Sequence, residues 1–170
     1  MSKTIVTYFE PFGGRTTNAS REVVSLLNGY QTKELPVSWS KIPSIIDELL
    51  SNEPDYLFLV GEAGSYQEIT IERIAHNISN GKDNEGVDRN NEPIIVNGKD
   101  ELLTTFDLSK LTYRISDNAG KYLCNYTYYL ALSLSLKTKV LFIHLPHIDN
   151  NLNELKIKLE DIINTLINVN

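Results

Sequence analysis

Apolar and polar positions alternate between two rhythms along this chain. Three short runs, TIVTYF (Thr4 to Phe9), YLFLVG (Tyr56 to Gly61) and KVLFIHL (Lys139 to Leu145), are almost continuously apolar, the pattern of parallel strands covered on both faces. Between them the spacing becomes helical. Val23, Val24, Leu26 and Leu27 follow a PFGG turn, with Asn18 or Ser20 as the helix cap and Asn28-Gly29 at its end. A second strand over Gln31 to Val37 precedes a second helix, Pro43 to Ser51, stopped by Pro54. Within Asp117 to Leu136, Leu123, Tyr126, Thr127, Leu130 and Leu134 recur at helical spacing, and Leu132 and Leu136 widen the face, so this helix is expected to be mostly buried. Leu152, Leu155, Leu159, Ile162, Ile163, Leu166 and Ile167 form a closing amphipathic helix.

Strand alternating with helix predicts an α/β fold with right-handed crossovers and a doubly wound sheet. The strands beginning near Thr4, Tyr56, Thr112 and Lys139 are expected to lie parallel, with helices on both faces. The segment from Ile69 to Ile78 opens with strand-like alternation, Ile69 and Ile71 on one side and Thr70 and Glu72 on the other. Ser79 to Pro93 is polar and rich in turn residues, and PIIVNGKDELL reads as a hairpin turning at Asn97-Gly98. This middle section predicts an excursion from the sheet.

Composition narrows the class. The 170 residues fit one domain, residues 1–170, and 41% hydrophobic with 22% charged residues is ordinary for a globular protein. A formal net charge of -6 without clustered Lys or Arg speaks against a nucleic-acid partner. No run approaches a membrane span, and the N-terminus lacks the apolar core of a signal peptide. A single cysteine forms no disulfide within the chain, so a cytoplasmic, reducing location is expected. The double glycine Gly13-Gly14 lacks the spacing of either nucleotide-binding motif.

That cysteine, Cys124, falls near the start of the buried helix, where the macrodipole favours a thiolate. The alternative is an inert, small buried residue. His144 lies near the carboxyl end of its strand, and Glu72 follows YLFLVG through a loop, so all three point toward one edge of the sheet. An imidazole can take the thiol's proton while a carboxylate fixes its tautomer. Bland readings stand beside this one: Glu72 as a solvated charge on a strand face, His144 as a hydrogen-bonded core residue, and His76 or His147 as the base instead. Three histidines and one cysteine without close ligand spacing argue against a metal site.

FEPFGG (Phe9 to Gly14) with Asn18, VGEAG (Val60 to Gly64), ITIERIAHN (Ile69 to Asn77), DNEG (Asp83 to Gly86), EPI (Glu92 to Ile94), AGKYLCNY (Ala119 to Tyr126) and FIHLPHI (Phe142 to Ile148) resemble, in order, the blocks of pyroglutamyl-peptidase I. The resemblance implies a three-layer α/β/α sandwich, often a homo-oligomer (dimer or tetramer). It also implies a cofactor-free cysteine exopeptidase acting on peptides with N-terminal pyroglutamate. The catalytic glutamate, cysteine and histidine of the family fall on Glu72, Cys124 and His144. Its ring-holding aromatics fall on Phe9 and Phe12, and the matched blocks place Asn18, Glu62, Tyr122 and Leu123 at the substrate. The family commonly has an arginine where this chain has Tyr66, and an isoleucine-proline pair where it has Gly81-Lys82. Hydrolysis of a different N-terminal acyl amide, or binding of pyroglutamate without turnover, are the competing readings.

Overall fold

The computed structural model describes residues 2–149 and 151–169. In chain order its first half comprises β1 (Thr4–Phe9), α1 (Ala19–Val24), β2 (Gln31–Leu35), α2 (Ile42–Ser51) and β3 (Tyr56–Glu62). The short strands β4 (Thr70–Glu72), β5 (Ile74–His76), β6 (Ser79–Lys82), β7 (Asp88–Glu92), β8 (Glu101–Leu103) and β9 (Arg114–Ser116) follow. Helix α3 (Leu123–Leu134), β10 (Lys139–Leu145) and α4 (Leu152–Val169) close the chain.

Six strands make the central sheet in the order β2-β1-β3-β10-β4-β9. Pairing is parallel from β2 through β10. Successive side chains point to opposite faces, so the apolar runs feed two separate cores. Ile5, Phe9, Leu57, Leu59, Val140 and Phe142 pack under α2 and α3. Val6, Phe58, Val60, Leu141, Ile143 and Leu145 pack under α1 and α4. This is why those strands carry so few polar positions: neither face meets water.

Three expectations are corrected. The strand near Thr112 does not run with the others: β4 is antiparallel to β10, and β9 is parallel to β4, so β9 opposes the four principal strands. A three-residue, largely exposed edge strand carries no periodicity from which direction is readable. The Ile69 to Ile78 segment opens as the expected strand, β4, and continues as β5, which leaves the main sheet to pair with β8. The hairpin is formed by β6 and β7 around residues 83–87, not at Asn97-Gly98. Asn97 does turn with positive φ, but Gly98 is needed for close approach, since a Cβ there would sit 2.7 Å from the Tyr129 hydroxyl. Finally, α3 begins at Leu123 and ends at Leu134, leaving Leu134 43% exposed and Leu136, past the C-cap, 97% exposed.

Candidate active site

Strand parity decides which side chains meet. His144 pairs with Gly61 on β3 and with Thr70 on β4, and Phe142 pairs with Glu72. Directly paired residues share a face, so Gly61, Thr70, Glu72, Phe142 and His144 all face α3. Glu72 therefore reaches His144 as a diagonal neighbour. His144 Nδ1 donates to Glu72 Oε1 over 2.7 Å, and both residues are buried, at 4% and 0% exposure. Glu72 is thus neither solvated nor at the carboxyl end of a parallel strand; an inserted antiparallel strand delivers it.

Cys124 arrives from the opposite side, as the second residue of α3, with a free and half-buried thiol. Its charge acts on the His144 ring, and because Nδ1 faces Glu72, Nε2 is the ring nitrogen left for the thiol. Gly61 makes this approach possible: a Cβ there would lie 2.8 Å from the Cys124 sulfur and 2.8 Å from the Phe142 ring. The first helical hydrogen bond of α3 runs from Tyr126 N–H to Tyr122 C=O, and no side chain caps the amino end. Burial disfavours the charged ring of His144, but the Cys124 charge and hydrogen bond, followed by those of Glu72, outweigh it and push its pKa up to about 9.

A cavity of about 330 Å³ opens beside this group. Its walls include Phe9, Phe12, Val37, Tyr122 and Leu123, with Asn18, Glu62, Tyr66, Cys124 and His144 supplying polar atoms. The wall bearing Phe12 belongs to a loop with two glycines at positive φ, Gly13 and Gly14, so it needs external fixing. Glu62 provides it. One carboxylate oxygen accepts the Ala19 N–H over 2.5 Å and the other pairs with Arg15 and lies 3.3 Å from His147 Nδ1. Burial raises the Glu62 pKa, and its bonds to Arg15 and Ala19, with His147, more than offset this and hold it below the ordinary value. Asn18 caps α1, its Oδ1 accepting from Ser20 N–H at 2.9 Å, while Nδ2 donates to the Glu10 carbonyl. On the far wall Tyr122 packs edge-on to Trp39 and donates to the Lys82 carbonyl over 2.7 Å. Gly81, at φ +114, leaves room for that ring.

Residues 2–160 match a family model described as pyroglutamyl peptidase. The chain belongs to the pyroglutamyl peptidase family. A pyrrolidone-carboxylate peptidase of Fusobacterium nucleatum is 35% identical, over 87% of this chain and 79% of that protein. One from Thermosipho melanesiensis is 34% identical over 96% and 94% of the respective chains. Among solved structures, pyroglutamyl peptidase I of Bacillus amyloliquefaciens superimposes with a TM-score of 0.85 at 25% identity, covering 94% of this chain and 93% of that one. The Thermus thermophilus pyrrolidone carboxyl peptidase gives 0.80 at 29% identity, covering 91% and 88%.

All six positions at which the pyroglutamyl peptidase resemblance placed substrate contacts line the cavity. His76 and His147 do not: His76 bonds the Asp117 carbonyl through Nε2 at 2.7 Å, and His147 joins Arg15 and Glu62. Ser65, Asn118, Ala119 and Gly120 also line the cavity; Ala119 and Gly120 open the AGKYLCNY block, while Ser65 and Asn118 are loop residues outside the matched blocks. Gly61 carried a signal in hindsight, a glycine ending an otherwise bulky strand. Among the described residues no three His, Cys, Asp or Glu side chains gather as a metal site, and no helix is long and apolar enough to cross a membrane.

Proposed function

We propose that this chain hydrolyses the amide bond following an N-terminal pyroglutamyl residue of peptides, with Cys124 as nucleophile, His144 as acid and base, and Glu72 as the carboxylate that orients His144. The observation supporting this is the buried Glu72–His144 hydrogen bond with Cys124 beside it on the wall of an aromatic-lined cavity, in a member of this family. The lactam ring lies between Phe9 and Phe12. Cys124 thiolate attacks the pyroglutamyl carbonyl carbon, and negative charge develops on its oxygen. The N–H groups of Leu123 and Cys124 precede the helical ladder of α3 and are suited to receive it. The His144 imidazolium gives its Nε2 proton to the departing amine as the C–N bond breaks, leaving a thioester. Water, deprotonated by His144, then attacks that thioester; pyroglutamate leaves and the thiolate–imidazolium pair is restored. A free Cys124 supports a reducing compartment for the enzyme.

A chromogenic pyroglutamyl anilide tests the reading directly. Turnover abolished by alkylation of Cys124 is the expected result. Tyr66 and Gly81-Lys82 favour one alternative, a different acyl group, so a panel of other N-terminal acyl anilides belongs in the same experiment. Hydrolysis of one of those in preference to the pyroglutamyl compound would replace the substrate while keeping the mechanism. Tight pyroglutamate binding without any turnover would leave only a binding module.

A further inference from the structure

Glu72 is fully buried, yet its Oε2 has no hydrogen-bond partner. The carboxylate group is held through Oε1 alone, which accepts from His144 Nδ1 at 2.7 Å and from the Tyr66 hydroxyl at 3.1 Å. Rotation about Cγ–Cδ would carry Oε1 away from its donors, and with Oε2 unheld, two donors at Oε1 resist that rotation more strongly than one. Tyr66 is well placed to act as the second. Its N–H closes a turn onto the Ala63 carbonyl at 2.9 Å. Its ring stands edge-on to His144, centroids 5.6 Å apart at 90°. The Arg114 guanidinium covers the ring at 4.8 Å. The hydroxyl also lies 3.3 Å from the Asn118 carbonyl, but it has one proton, and the nearer, charged acceptor is Glu72.

We propose that Tyr66 is a positioning residue, holding the Glu72 carboxylate in line with His144 Nδ1 and thereby setting how strongly the imidazolium is supported. This rests on the reading of Glu72, His144 and Cys124 given above. The titratable and charged groups facing the relay are Cys124 and Tyr128 from α3, Glu72 from β4, Tyr66 from the β3–β4 loop and, across the Tyr66 ring, Arg114 from β9. Tyr128 donates to the Glu72 backbone carbonyl at 2.9 Å and so fixes the strand rather than the carboxylate. Burial raises the Tyr66 pKa, and the hydroxyl therefore remains a donor across the neutral range.

Tyr66→Phe removes the proton donor and keeps the ring against His144. The expected result is a kcat lowered about tenfold with KM within about twofold, the loss of one charge-assisted hydrogen bond that acts on the reacting relay. The His144 ring titration, followed by NMR, moves down by about half a unit. In a Glu72→Ala background, where there is no carboxylate to hold, Tyr66→Phe lowers kcat no further. A raised KM with unchanged kcat makes Tyr66 a cavity wall and overturns the proposal, as do an unchanged His144 titration or additive losses in the double variant. The NMR measurement needs no turnover. A shifted titration in a protein that cleaves no pyroglutamyl anilide keeps the positioning role and removes the reaction assignment. An active wild type with an unshifted Tyr66→Phe titration does the reverse.

Discussion

His144 lies between two acidic side chains, the Cys124 thiol on one ring nitrogen and the Glu72 carboxylate on the other, and this arrangement decides how the site responds to pH. Its pKa is lifted from 6.5 to about 9. Because the folded value exceeds the unfolded one, the stabilisation from the charged ring is fully present below about 6.5 and is lost as pH rises through about 9. The imidazolium is also the proton donor to the leaving amine. The kcat/KM profile is therefore expected to fall on an alkaline limb near 9. A limb near 6.5 instead means the ring works without its anionic neighbours. Cys124→Ser removes the larger of the opposing anions, so the His144 titration drops; an unchanged titration argues against the ion pair. In turnover, Cys124→Ser and His144→Ala each cost orders of magnitude and the double variant little more, since the pair acts as a unit, while Glu72→Gln costs less than either. Gly61 sets the distance. Gly61→Ala places a methyl 2.8 Å from both the thiol and the Phe142 ring. With Phe142 fixed in the core, the sulfur moves, and a displacement approaching 1 Å lowers kcat by about 10²-fold. Near-normal kcat in Gly61→Ala would show that α3 yields at little cost.

At the level of elements, the loop between β1 and α1 is latched onto the sheet by Glu62, the last residue of β3. Both carboxylate oxygens are engaged, by Ala19 N–H and by Arg15 with His147, so Glu62 shapes the pocket by fixing the loop that carries Phe12. Its pKa is held below the ordinary 4.5, so this latch contributes stability above that value and loses it as pH falls through the folded pKa. Glu62→Gln is expected to raise KM several-fold with little change in kcat, and to lower stability by about 1–3 kcal/mol, the scale of a buried charge-assisted bond lost. Unchanged KM would mean the loop is held by Asn18 and Ser20 alone. The elements themselves differ in how legible they are. β1, β3 and β10 are readable because both faces are apolar, and α4 because its apolar stripe keeps a helical period. β5 to β8 are not, because they are three to five residues long and mostly polar or exposed, while β4 and β9 are readable as strands but not in direction. Cys124 and His144 sit on the readable elements. Glu72 stands on a strand whose alternation is readable, but that alternation could not say whether its face was solvent or the underside of α3.

For the molecule as a whole, direction and partner choice of strands were the features least visible along the chain, because they are fixed by packing far apart in sequence. The antiparallel insertion of β4 beside β10 is what carries Glu72 under His144, and nothing local to Thr70–Glu72 encodes it. The result is a molecule of two textures. The parallel strands β1, β3 and β10 are sealed between α2 and α3 on one face and α1 and α4 on the other, with β2 as a largely exposed edge. Two small antiparallel pairs, β5 with β8 and β6 with β7, lie outside that sheet. The cavity meets the β6–β7 pair through its wall residue Tyr122, which donates to the Lys82 carbonyl. The β6–β7 pair is tied back through polar anchors at its turn: Asp83 accepts the Trp39 N–H at 2.9 Å, Asn84 donates to the Pro11 carbonyl at 3.0 Å, and Glu85 pairs with Lys41. Such contacts open more readily than a sealed core, because water replaces them at little cost. Native-state hydrogen exchange is therefore expected to rank the amides of β3 and β10 slowest and those of β6 and β7 faster by orders of magnitude. Occupation of the cavity by a pyroglutamyl ligand should slow exchange around Trp39 and residues 83–87, since Tyr122 links the pocket wall to Trp39 and to the Lys82 carbonyl. If β6 and β7 exchange as slowly as β3, the outer pair belongs to the same cooperative unit as the sheet, and the cavity has no soft wall to close upon its substrate.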